Sequence, residues 1–309
     1  MGPAEDDTLR LPPPAAPPPP RRPGVWIGVA LAVTLAAIGG AAWMLPAPAP
    51  APSTAVVPPP PPRPAIALAS EAELAALLPE RPLLRRLAEN PRVFVLVFPD
   101  LALQGAALNR AAALIEKAGL PRDRLLEPAE LAAVIARAGD TAATWFLGHD
   151  YRGEDLARFF ALAERDRVAL GEAELWVRDQ LALAVAAAGP GPLALVSIAG
   201  PGPQMDAAMR ATVLRHEIGH GHYFTTPGFA AHVREVWQGR FSAAERAAFR
   251  DFLGREGYET SNDELMANET MAYLLFTPDA RFFAPAMVGL DAPAVERLRG
   301  LLRDGLPRP

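Results

Sequence analysis

Proline sets the first limit on what this chain can fold into. Of its 35 prolines, 19 fall within the first 64 of 309 residues. Each fixes φ and removes a backbone donor, so neither a helix interior nor a sheet can absorb such crowding. The folded part must therefore follow it. Residues 1–24, with runs at Pro12–Pro14 and Pro17–Pro20, read as a solvated, proline-rich tail that ends in Arg21 and Arg22. Residues 25–45 (VWIGVALAVTLAAIGGAAWML) then carry no charge. As a helix they span roughly 30 Å, the thickness of a bilayer core, with Trp26 and Trp43 near the two interfaces. They are expected to form a transmembrane helix. Only Arg63 follows within twenty residues, so the arginine bias keeps residues 1–24 in the cytoplasm and exports the rest to the periplasm or cell exterior. A cleaved signal peptide is the competing reading, with Ser53-Thr54-Ala55 as its cleavage site, but its apolar core is normally shorter. Residues 46–68 form a proline- and alanine-rich linker.

Residues 69–309 have the composition of a globular domain, expected to be α+β and mainly helical with a small sheet. Ser70 and Glu73 make a capping box for a short helix through Leu78. Arg92–Phe98, Thr144–Leu147 and Leu193–Ile198 are strand candidates, and helices are expected over 101–117 and 128–138. Glu174–Val185 fits either state. After Gly200-Pro201-Gly202-Pro203 the remaining hundred residues read as mainly helical. The net charge of −5 carries no basic excess for nucleic acid, and the absence of cysteine excludes disulfides, thiolate metal ligands and a thiol nucleophile. Oligomeric state is not encoded in any pattern here.

The chemistry is concentrated at His216-Glu217-Ile218-Gly219-His220, an HExxH segment. On a helix, positions i and i+4 stand on one face, so His216 and His220 can bind one metal ion while Glu217, one residue round, serves as general base. Asp206 is placed to cap that helix. Gly219 and Gly221 each cost it about 1 kcal/mol, which implies close approach of another segment or fraying near its end. Spacings that would supply a third ligand nearby fail, because Thr226, Gly239 and Arg240 occupy those positions. Two glutamates of a later helix compete instead. Glu264 lies three residues after Ser261 and completes a capping box, which explains it structurally. Glu269 has Leu265, Met266, Ala272, Tyr273 and Phe276 around it at helical spacing, so it points into the core, where a divalent cation is its natural partner. Glu269 is the preferred third ligand, with Glu264 the alternative.

At these residues the chain resembles the gluzincin metallopeptidases, which carry HExxH on one helix and a glutamate ligand on a second, often within Asn-Glu-x-x-Ala. Asn268-Glu269-Thr270-Met271-Ala272 matches that form, and the resemblance covers roughly residues 206–276. It implies a zincin-like domain with one zinc ion per chain, held by His216, His220 and Glu269 with an open water position, and peptide or protein substrates in the cell envelope. The departure is the 48 residues between His220 and Glu269. Tyr223, Tyr258 and Tyr273 are candidates to stabilise the transition state. His222 is expected at the surface or behind the ligands, and His149-Asp150-Tyr151 either lines a cleft or forms an exposed turn. His232 has no assigned role. The rival reading is a catalytically silent envelope protein with a structural or vestigial zinc site.

Overall fold

A computed structural model describes residues 65–306; the proline-rich tail, the apolar segment 25–45 and most of the linker lie outside the described residues. Among the described residues no helix is long and apolar enough to cross a membrane.

The apolar runs build the centre of a five-stranded mixed sheet. Strands β3 (Val93–Phe98) and β5 (Ala194–Ala199) are buried at every position and pair in parallel. Such runs need cover on both faces of the sheet, and helices supply it. On one side β2 (Leu83–Leu87) lies antiparallel to β3, with the short β1 (Leu68–Ala69) parallel to β2. On the other, β4 (Gly148–Arg152) pairs antiparallel with β5 and forms the edge, giving the order β1-β2-β3-β5-β4. Helices α1 (Glu71–Ala76), α2 (Leu101–Ile115), α3 (Pro128–Arg137), α4 (Gly153–Asp166) and α5 (Glu172–Ala188) belong to this half. Helices α6 (Ala207–Thr225), α7 (Pro227–Gly239), α8 (Ala243–Arg255), α9 (Asp263–Phe276) and α10 (Ala292–Arg303) make up the rest. The domain is mixed α+β, as the sequence leads one to expect.

Some expectations need correction. Residues 144–147 are not a strand. Thr141 N–H donates to Thr144 Oγ1 (2.9 Å) and Trp145 N–H to Thr141 O (3.1 Å), so a turn uses the backbone that a ladder would need, and the strand starts only at Gly148. β2 escapes pattern reading because two arginines interrupt its leucines. The ambiguous segment 174–185 is helical. Arg110 of α2 grips Glu174 there with Nε–Oε1 at 2.8 Å and Nη2–Oε2 at 2.5 Å, both side chains buried. The Ser70–Glu73 capping box is formed.

Helix α6 positions the site. Asp206 caps it, accepting from Met209 N–H at 2.8 Å. Arg210, buried, donates to Ala199 O at the end of β5 and to Leu74, Ala75 and Leu77 carbonyls at the end of α1. One guanidinium thus satisfies orphan helix-end acceptors and fixes α6 against the sheet. Val213, Leu214 and Ile218 then join the sheet-side core, whereas Tyr223 joins a second core formed with α7–α10. The HExxH segment sits at the seam between the two.

Candidate metal centre

The fold brings His216 and His220 of α6 together with Glu269 of α9, their ligand atoms within 4.8 Å of one another. The two Nε2 atoms are 3.0 Å apart, and Glu269 Oε2 lies 3.8 Å from His216 Nε2 and 3.6 Å from His220 Nε2. Ligands about 2.05 Å from a tetrahedral zinc stand about 3.3 Å from each other, close to these edges. Glu269 is 2% exposed and its Oε2 has no hydrogen-bond partner. Close approach holds the two helices in place. A Cβ at Gly219 would lie 2.6 Å from the Phe276 ring of α9, and one at Gly221 would lie 2.8 Å from Val93 of β3. Tight packing, not fraying, explains both glycines.

A hydrogen bond sets the tautomer of His216. Thr277 Oγ1 donates its one proton to Ala272 O (3.0 Å), so it must accept from His216 Nδ1–H at 2.8 Å. His216 Nε2 is then a lone pair facing His220. At the other ring, His220 Nδ1 makes no hydrogen bond, and the nearest carboxylate oxygen, Asp150 Oδ2 of β4, lies 3.6 Å away. A carboxylate there favours a proton on Nδ1 and leaves Nε2 of His220 as a second lone pair. Two lone pairs and a carboxylate oxygen converging on one point fit a divalent cation, and neutral protein chemistry leaves them opposed. A second grouping of Asp150, Glu217 and His220 also lies within 4.8 Å. It would engage His220 through Nδ1 and leave the facing Nε2 atoms unserved, so the first grouping accounts for more of the geometry.

Electrostatics lead to the same point. Burial pushes Glu269 and Glu217 well above the usual carboxylate range, with Glu116 and Glu269, respectively, adding like-charge repulsion. Asp150 is raised for the same two reasons, burial first and then Glu116, and burial lifts Glu116 to about 8. Burial also pushes His220 down to about 4 and His216 well below its ordinary value, which keeps both rings neutral and ready to ligate. Buried side-chain atoms without partners gather here: Glu116 Oε1, Glu217 Oε2, His220 Nδ1, Asn268 Oδ1 and Glu269 Oε2. Glu116, Glu217 and Glu269 are buried and Asp150 nearly so, and none of the four forms an ion pair with a lysine or arginine, so a metal ion would relieve their mutual repulsion.

A cleft of about 250 Å³ opens onto His216 and Glu217, and Lys117, Phe146, Gly148, Tyr258 and Tyr273 are among its walls. Glu217 packs against Gly148 of β4 so closely that a Cβ there would meet Oε1 at 2.3 Å. Tyr273 lies edge-on to His216, ring centres 4.9 Å apart. Tyr258 and Tyr273 thus reach the cleft, but Tyr223 does not. It is buried and donates to Glu264 Oε1 at 2.8 Å, because its side chain turns from α6 towards the start of α9.

Glu264 is likewise displaced from both roles considered for it. Asn262, not Ser261, caps α9, accepting from Glu264 and Leu265 N–H groups, while Ser261 bonds to Glu259. Glu264 instead receives Tyr223, Arg152 and Arg234 and belongs to no metal grouping. About 1.4 helical turns separate it from Glu269, and its carboxylate is taken up by the three donors instead of the two imidazoles. His149 is neither in the cleft nor on an exposed turn. It is buried, 3.1 Å from Ser197 Oγ, and burial lowers its pKa to about 3. His222 is half-buried, its Nδ1 3.1 Å from Asn90 Nδ2, and His232 lies 2.9 Å from Leu301 O. Thr277 and the positioning of Asp150 escaped sequence reading, since neither stands at a spacing that marks a ligand partner.

Compared with known protein families, with curated proteins and with solved structures, the chain has no match.

Proposed function

We propose that this protein is a membrane-anchored, zinc-dependent peptidase with a zincin-like domain, acting on peptides or proteins in the cell envelope. The observation that carries the reading is the convergence of His216 Nε2, His220 Nε2 and Glu269 Oε2 beside a cleft that also holds Glu217. His216, His220 and Glu269 would hold one zinc ion. Bound there, zinc supplies Lewis acidity towards a carbonyl oxygen and lowers the pKa of water.

The chain's own groups supply the remainder. Glu217 accepts the proton of the attacking water and returns it to the leaving amine. The Tyr258 and Tyr273 hydroxyls on the cleft wall are available to donate to the oxyanion. Thr277 holds the His216 imidazole with Nε2 inward, and Asp150 stands beside Nδ1 of His220, where a carboxylate favours the same orientation. Location outside the cytoplasm rests on the charge-free segment 25–45 and its arginine flank. A structural zinc would call for a fourth protein ligand and has no use for a carboxylate placed like that of Glu217.

The test uses purified full-length protein, a peptide-library digest and elemental analysis. Wild type is expected to contain one zinc per chain and to cleave peptides. Glu217→Gln keeps the zinc and loses about 10²–10⁴-fold in turnover, the usual contribution of a general base. A peptide activity that survives this substitution undiminished would overturn the mechanism and favour the silent envelope protein.

A further inference from the structure

The chain's basic residues are arginine with one exception, Lys117. The fold brings that single lysine to the wall of the cleft that holds His216 and Glu217. It follows the last turn of α2, where the backbone crosses to the loop before α9: Lys117 bridges to Tyr258, and Ala118 N–H donates to Gly257 O at 3.3 Å. This crossing fixes the stem of the side chain. Its Nζ lies 4.4 Å from the centre of the Phe146 ring and 5.5 and 5.9 Å from those of Trp145 and Tyr258. Three aromatic faces hold the ammonium and strip part of its water.

The ammonium is nevertheless underused. It has three N–H donors and makes one hydrogen bond, to Glu256 O at 3.3 Å. Carboxylates of Glu116, Asp140, Glu256 and Glu269 contribute to its field. None of them, and no other carboxylate among the described residues, forms an ion pair with it within 4.0 Å. An arginine's planar fork would not fit such a cage as compactly, whereas a lysine presents a point charge. Burial lowers the Lys117 pKa, the strain that a bound anion relieves.

Resting on the peptidase reading, we infer that Lys117 binds a carboxylate of the substrate, so that the enzyme selects peptides carrying a free carboxylate next to the scissile bond. That carboxylate is either the chain's C-terminus or an acidic side chain. No covalent step is involved; Lys117 determines specificity through charge.

Matched peptides separate the two sources: a free acid against its C-terminal amide, and an internal glutamate against glutamine. Binding is measured by calorimetry on full-length, zinc-loaded Glu217→Gln protein, which does not turn the peptides over, and kcat/KM is measured on wild type. One of the two exchanges is expected to weaken binding by about tenfold or more, the scale of a charged hydrogen bond. Lys117→Met should erase that preference through KM with little change in kcat, and Lys117→Arg should restore part of it. Acetylating the folded protein provides a route that needs no refolding, since Lys117 is the only lysine; the same treatment of Lys117→Arg controls for the amino terminus. Loss of the preference on acetylation supports the assignment. A preference below twofold in both pairs, or one that persists in Lys117→Met or after acetylation, overturns it. The two readings fail differently. Cleavage of acid and amide alike removes the role of Lys117 and leaves the peptidase standing. A Lys117-dependent preference in binding, without cleavage by wild type, removes the peptidase and leaves the carboxylate site.

Discussion

At the residue scale the two glutamates of α9 show how five positions along a helix separate two kinds of chemistry. Glu269 is buried with an unpartnered oxygen against two imidazoles, whereas Glu264 is half-exposed and already takes three donors. Glu269→Gln removes an anionic ligand from a buried cation and is expected to leave purified protein without stoichiometric zinc. Glu264→Gln should retain the zinc and lose about 1 kcal/mol of stability, the net worth of an intramolecular hydrogen bond. Metal content by elemental analysis, with urea denaturation alongside, decides between them. An empty site in Glu264→Gln alone would reverse the assignment.

At the scale of elements, the HExxH helix is held at its start by more than its cap. Asp206 accepts from Met209 N–H and pairs with Arg281, which lies after α9. The Arg281 hydrogen bond first, then the backbone one, lowers the Asp206 carboxyl from 3.8 to about 2. The folded state therefore binds this proton more weakly than the unfolded chain does. The resulting stability is present above pH 3.8 and is lost as pH falls from there to about 2. Asp206→Asn keeps a capping side chain and removes the charge. It should be less stable than wild type at neutral pH, with the difference closing as acid approaches pH 2. Urea midpoints measured across that range test this; a difference independent of pH would show that the charge contributes nothing.

At the scale of the molecule, the candidate site is the place where a sheet-side core and a helical core meet. The unfolded chain keeps its ligands far apart, so zinc binds the folded state and stabilises it by mass action. The gain is about 2.7 kcal/mol when free metal is a hundredfold above its dissociation constant. Each half has a large apolar core of its own, so the domain is expected to stay folded on chelation. Its thermal midpoint should fall, and amide exchange should quicken in α6 and α9 ahead of β3 and β5. Outright unfolding on chelation at 25 °C would mark the metal as structural and support the rival reading.

The sequence by itself determined what depends on local pattern. HExxH on a capped helix, the burial of Glu269, the apolar runs of β3 and β5 and the helical last hundred residues all follow from spacing and side-chain type. Such features are encoded within one or two turns of chain, where period and capping leave little choice. Only the tertiary structure decided which side chains from distant elements share a point. Thr277 sits below His216 because α9 ends there, Asp150 faces His220 because β4 is the edge strand beside α6, and Lys117 reaches the cleft because its loop crosses to Tyr258. Tyr223 and Glu264 left the cleft for one another by the same logic. Residues 41 to 141 positions apart carry no mutual spacing signal, and packing of the two cores alone sets which of them meet.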